Sequence, residues 1–196
     1  MHAQRKCQQD QRDETRPGRA PGNVLVQPCP TLCVGVALTD LWRTTTSPAL
    51  NSGNKDAAAG RIKLEPPGDG TILRIVEFPP DAAWRKTADA KAAFASIGAG
   101  GAPDHESGDP MMHTTATVDY IIVLKGEIYA ILDKGEKLLK QGDILVQRGT
   151  NHSWSVRGAE PCVIAAILVS AKPAGRLTRD AKRKRPSRRK GASASR

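Results

Sequence analysis

Between Pro110 and Ala171 the chain repeats one kind of unit, a short run of β-branched and aliphatic residues followed by a turn built on glycine. The runs read MMHTTATVDYIIVL, EIYAILD, KLLKQGD, ILVQ, SWSV and CVIAAILVS, with Lys125-Gly126, KGE and RGTNH among the breaks. No long helical pattern interrupts them. Strand-like runs recurring about every eight to twelve residues with glycine turns between them predict an antiparallel sandwich or barrel. Upstream, GTILRIVEF (Gly70 to Phe78) has the content of a further strand and is closed by Pro79-Pro80. The Ala-rich spacing from Asp81 to Ile97, with Trp84, Ala88, Phe94 and Ile97 as face-forming positions, predicts one helix. GAGGAPDHESGDP, Gly98 to Pro110, sustains neither period and reads as a loop. The fold class is therefore all-β, with one helix before the regular block.

The flanks differ in composition. Residues 1–60 are rich in Gln, Arg, Pro, Gly, Thr and Asn, with one apolar island from Thr31 to Trp42, and are expected to be mostly disordered. Residues 61–171 form the expected domain, and residues 172–196 a disordered basic tail. Lys172 to Arg196 holds 11 basic residues against Asp180 alone, and so carries the whole of the chain's formal +10. The body is neutral, which argues against a basic nucleic-acid face on it and assigns weak polyanion binding to the tail. Within the tail, KRKRPSRRK (Lys182 to Lys190) has the look of a nuclear-import or nucleic-acid patch, without aromatics for stacking on single strands. Cys7, Cys29, Cys33 and Cys162 lack paired metal-site spacing and a dense disulfide framework, so they read as reduced bystanders. No apolar run approaches the roughly 18 to 20 residues of a membrane span. TLCVGVAL is short, starts about thirty residues in and follows Asp10, Asp13 and Glu14, unlike a secretory leader. A cytoplasmic protein without a membrane partner is expected, or a nuclear one if the chain is eukaryotic.

Four histidines occur: His2, His105, His113 and His152. His105 sits in the loop PDHES. His113 opens a run on which Thr115, Thr117, Asp119, Ile121 and Val123 share its parity, so a regular strand would turn them to one side. His152 follows the Gly149-Thr150 turn at the entry to SWSV. If a second strand brings His152 to the cavity seen by His113, two imidazoles and the Asp119 carboxylate converge. That set suits a divalent iron, manganese, nickel or zinc ion with positions left open for substrate. The alternative leaves His113 hydrogen-bonded to a carbonyl at a loop edge, His152 as a turn residue at a rim, and Asp119 bonded to Thr or Tyr hydroxyls. Trp154 and Tyr120 read as packing residues, and Gly126 and Gly142 as turn glycines.

At these residues the block resembles a small cupin, a double-stranded β-helix or jelly-roll barrel. In the family's first motif, His113, Thr115, Asp119 and Gly126 match the spacing; in the second, Gly142 and His152 match the ends, with QGD at Gln141 to Asp143 as the entering turn. Thr115 stands at the second histidine's place, Asp119 at the glutamate's and Val156 at the asparagine's. VQRGTNH has no proline, the interval from Gly142 to His152 is one residue short, and Gly108 leaves four residues before His113 where the family has five. The resemblance spans roughly Gly70 to Ala171. It implies a barrel-mouth site with His113, His152 and Asp119 as metal ligands, Asp119 as third ligand or general base, a small oxygenated organic substrate, and a homodimer that covers β edges.

Two function classes follow from the resemblance. One is a metal-dependent oxidoreductase or dioxygenase, decarboxylase or isomerase. The other is a noncatalytic, metal-free module that binds a small molecule. The fold hosts both. No nucleotide-binding glycine loop or Ser-His-Asp setting supports a kinase or hydrolase.

Overall fold

In the computed structural model, residues 31–33, 35–53, 55–104 and 106–173 are described. Among the described residues nine strands and one short α-helix follow in chain order: β1 (Thr31–Cys33), β2 (Val36–Thr44), β3 (Thr71–Phe78), α1 (Ala90–Ser96), β4 (Thr117–Lys125), β5 (Glu127–Leu132), β6 (Glu136–Lys140), β7 (Ile144–Arg148), β8 (His152–Ser155) and β9 (Cys162–Ser170). They make two sheets, one of six strands in the order β1-β2-β3-β9-β4-β7 and one of three in the order β6-β5-β8. Every pairing is antiparallel.

Alternation in the sequence decides which side chains enter the core. On β3, Ile72, Arg74 and Val76 are buried, and on β4, Thr117, Asp119, Ile121 and Val123. The inward residues of β9 are Cys162, Ile164, Ala166 and Leu168. Opposite them, β5 contributes Ile128 and Ala130, so the two inner faces close on one core. The register stacks these positions in rows across the larger sheet. One row runs Ile72, Leu168, Asp119, Gln147, and the next runs Asp40, Arg74, Ala166, Ile121, Leu145. These two rows carry charged and amide groups into the interior.

The double-layered all-β barrel agrees with the expected fold class, and three expectations change in detail. The barrel starts before residue 61: β2, inside the stretch assigned to the extension, pairs along β3 and buries Val36 and Leu38. The apolar island of Thr31 to Trp42 had enough alternating apolar content to add a strand. The helix expected over Asp81–Ile97 is broken into a single 3-10 turn at Asp81–Ala83 and α1. The Thr87 hydroxyl bonds back to the Trp84 carbonyl, and Asp89 starts α1 afresh by accepting a hydrogen bond from the Ala92 amide at 2.9 Å. The strand expected to open at His113 begins at Thr117, although the parity from His113 to Val123 holds, since all six alternate residues are buried. The first 30 residues, His105 and the tail from residue 174 onward lie outside the described residues, and with them the expectations for disorder, for Cys7 and Cys29, and for the basic tail.

Gly126 is required by shape. Its φ is +77°, and a Cβ there would come 2.9 Å from the Pro161 carbonyl oxygen. Gly142 turns at φ +90° with open space around it, so its requirement is conformational alone.

Candidate functional site

His113 lies beside His152, the first residue of β8. Their backbones form a two-bond antiparallel bridge, His113 N–H to His152 O at 2.9 Å and His152 N–H to His113 O at 3.0 Å. The imidazole centroids lie 4.2 Å apart, with planes inclined at 48°. Phe94 of α1 packs on the His113 ring at 4.9 Å, and Trp154 stands edge-on to the His152 ring at 5.7 Å. Helix, loop and small sheet thus hold both rings.

The rings' hydrogen bonds fix their chemistry. His113 Nδ1 is 2.9 Å from the Met111 carbonyl oxygen, and His152 Nδ1 is 2.9 Å from that of Thr150. A carbonyl only accepts, so each Nδ1 carries the proton and each neutral ring keeps a bare Nε2. Burial favours the neutral rings. It pushes His113 below its usual value against the opposing pull of the Met111 carbonyl and the Asp109 charge. For His152, burial and the neighbouring His113 lower the value to about 3, against the Thr150 carbonyl.

The loop before His113 is held by charges that the sequence reading did not single out. Asp109 accepts from the Met111 amide at 3.0 Å, from Arg85 at 2.5 Å and from the Ser153 hydroxyl. Arg85 also donates to the Trp154 carbonyl at 2.6 Å. Asp81 similarly grips β8, accepting from the Ser155 hydroxyl at 2.6 Å and the Val156 amide at 3.1 Å. The segment after the Pro79-Pro80 pair is therefore a strap across the strand that carries His152. The signal available in the sequence was an acid placed four residues before His113.

Both rings border a cavity of about 130 Å³ whose wall is mainly apolar, including Val36, Val76, Phe94, Ile121 and Trp154, and which also takes in Thr115, Asp119 and Arg74. Asp119 is 5% exposed, and burial raises its carboxyl to about 6, against the Thr117 hydroxyl and the Arg74 charge and with the Glu65 charge. Among the described residues its Oδ1 has no hydrogen-bond partner. Beside it in the register stands Gln147, 4% exposed, whose amide nitrogen and oxygen are both buried without a partner among the described residues. Arg74 is committed elsewhere: its Nε donates to Asp40 at 2.6 Å, and another of its nitrogens donates to the Lys63 carbonyl. Arg74 and Asp40 stand at inward positions of β3 and β2, where a charged residue in an alternating strand is the signal of a buried pair.

Of the three expected ligands, His113 and His152 lie with their rings 4.2 Å apart, and Asp119 borders the same cavity. Among the described residues no three His, Cys, Asp or Glu side chains group closely enough to hold a metal ion. Thr115, at the place of the family's second histidine, does not replace the missing ligand, because its hydroxyl pairs with that of Thr117 at 2.7 Å. The side chains therefore do not fit a metal centre with three protein ligands. Trp154 packs as expected, but Tyr120 is 44% exposed on the outer face of β4. Cys162 is a free thiol in the core, and burial pushes it up to about 11. No described helix is long and apolar enough to cross a membrane.

No protein-family profile matches the chain. Among curated proteins, it is 36% identical over 122 residues to phomopsin biosynthesis cluster protein C' of Diaporthe leptostromiformis, covering 59% of this chain and 51% of that one. It is 30% identical over 139 residues to the cupin-domain-containing oxidoreductase srdD of Neurospora crassa, covering 67% of this chain and 57% of that one. The chain thus spans about half the length of the curated relatives it matches. A solved cupin 2 conserved barrel domain protein from Salinispora arenicola aligns over 81% of this chain and 89% of that one, at 12% identity and a TM-score of 0.37. With two antiparallel sheets closing on one core, His113 and His152 bridged beside one cavity, and relatives that bear the family's name, the chain is a cupin.

Proposed function

We propose that this cupin is a small-molecule enzyme that moves a proton on an oxygenated compound about one ring in size, with Asp119 as the acid–base group. The observation that carries this is the Asp119 carboxylate, buried in the cavity wall with one oxygen unpartnered among the described residues. The size follows from the volume: about 130 Å³ compares with the roughly 150 Å³ apolar cavity that holds benzene in a protein interior. His113 and His152 offer two bare Nε2 atoms as acceptors for substrate hydroxyls, and Asp119, with its value near neutrality, takes a proton from carbon next to a carbonyl and returns it. For a hydroxy-ketone, removal of the proton from the hydroxyl-bearing carbon with protonation of the carbonyl oxygen gives an enediol, and loss of the original hydroxyl proton with return of a proton to the neighbouring carbon moves the carbonyl. One carbon is oxidised as the other is reduced, with no outside oxidant. This is compatible with the redox class in the Neurospora crassa relative's name.

The test is deuterium exchange into 2-hydroxycyclohexanone in D2O, followed by NMR with chelator-treated protein. Exchange above background that falls by about 100-fold in Asp119→Asn supports the reading. Background exchange with the compound bound supports the noncatalytic binding module instead.

A divalent ion held by the two histidines is the second reading, favoured by the 4.2 Å separation of their rings and by Nδ1 contacts that leave each Nε2 unprotonated. One iron, manganese, nickel or zinc ion bound per chain, lost in His152→Ala and tighter in Thr115→His, supports it. No uptake by either the parent chain or Thr115→His overturns it. Self-association belongs to the same proposal. Tyr120, Ile144 and Val146 are exposed on β4 and the edge strand β7, a surface suited to a second copy. A monomer by light scattering at micromolar concentration contradicts this. We place the protein in the cytoplasm and assign weak, salt-sensitive polyanion binding to the tail. Heparin retention lost on removing residues 172–196 tests the tail.

A further inference from the structure

We propose that the aromatic wall of the cavity selects a flat, conjugated ring over a puckered, saturated one. This rests on the reading of the cavity as a one-ring site and goes beyond it by naming the class of ring that it takes. The chain is poor in aromatic residues, with two phenylalanines, three tryptophans and two tyrosines. Both phenylalanines, Phe78 and Phe94, and two of the tryptophans, Trp84 and Trp154, border the same cavity.

Ring contacts join three of them into a band through the two histidines. Phe78 lies 6.2 Å from Trp154, Trp154 5.7 Å from His152, His152 4.2 Å from His113, and His113 4.9 Å from Phe94, centroid to centroid. The five residues come from the end of β3, from β8, from the loop before β4 and from α1, and all of them border the cavity. Neighbouring planes are inclined at 40° to 79°, so the band offers both faces and edges. Much of the remaining wall is aliphatic, with Val36, Val76, Ile121 and Leu168 among its members. An aromatic face is electron-rich and its edge electron-poor, so an aromatic guest gains from offset or edge-on contact beyond the area it buries, roughly two- to tenfold in affinity per pair. A saturated ring of the same size keeps the area contribution alone. The enediol through which a hydroxy-ketone passes is flat at its two oxygen-bearing carbons, so the band favours that form over the puckered ketone.

The experiment titrates phenol and cyclohexanol by calorimetry into chelator-treated full chain, as the parent and as Trp154→Leu and Phe78→Leu, two half-buried members of the band. The parent is expected to bind phenol about tenfold more tightly than cyclohexanol, and each variant to lose about threefold of that preference. Phenol is the stronger hydrogen-bond donor, but that difference is the same in every protein, so the change in preference reports the rings. Side chains that only pack the core would lower both affinities alike and leave the preference as it was. Thermal melting shows which variants fold, and the comparison within the parent needs neither. If cyclohexanol binds the parent as tightly as phenol, or if the folded variants keep the full preference, the assignment is overturned while the one-ring cavity and the role of Asp119 stand. If neither alcohol binds the parent, the cavity reading falls and this inference falls with it.

Discussion

The two polar ends of the interior solve the problem of buried polarity in opposite ways. At the histidine end each Nδ1 has its carbonyl, the two backbones are bridged, and Asp109 ties loop, strand and Arg85 together. At the other end Asp119 and Gln147 lie side by side with three buried atoms unpaired among the described residues. The first end is finished by the fold, and the second keeps three polar atoms unpaired among the described residues.

The comparison sharpens most under acid. In the unfolded chain each imidazole titrates near 6.5, and in the folded one it resists protonation. The unfolded state therefore takes up protons first, so stability is lost as pH falls below about 6.5. The loss for His152 reaches about 3 kcal/mol over two pH units. Thermal melts between pH 7 and 4.5 are expected to show this fall, and His152→Phe to flatten it. Asp119 has the reverse sign: its folded value is raised, so its cost is absent below about 3.8 and grows as pH rises through about 6.

Breaking the finished end comes next in size. Asp109→Ala removes the partner of Arg85 and Ser153 and frees the turn before His113, at an expected cost of about 2–3 kcal/mol. Chemical denaturation measures it, and a loss below about 0.5 kcal/mol contradicts the account of that end. The unfinished end should respond least and in the other direction. Gln147→Leu is expected to leave stability unchanged or raise it by about 1 kcal/mol, since it removes two buried unpaired atoms. Asp119→Asn is expected to raise the melting temperature at pH 8 more than at pH 5.

Much of this was legible in the sequence because strand alternation and turn glycines are local. The runs of β3, β4, β5, β8 and β9, the inward parity from His113 to Val123 and the pairing of His113 with His152 all followed from spacing and from the two motif positions. What escaped depended on long-range partners. β2 was lost in a polar stretch because its pairing with β3 spans more than 25 residues, as the 27-residue separation of Thr44 and Thr71 shows. The Arg85–Asp109–Ser153 group joins three separate segments. The spacing of Asp119 matched a ligand position, but spacing does not set how far a shorter carboxylate reaches, and among the described residues no three such side chains group closely enough for one ion.

Nitrogen-15 NMR of the histidine rings tests the central claim most directly, because the whole reading of the site depends on two neutral imidazoles with bare Nε2. In chelator-treated protein at pH 7, His113 and His152 should both show protonated Nδ1 and unprotonated Nε2, with His152 keeping that state down to pH 5. An imidazolium at His152 at pH 6, or a proton on Nε2 of either ring at neutral pH, would contradict the account.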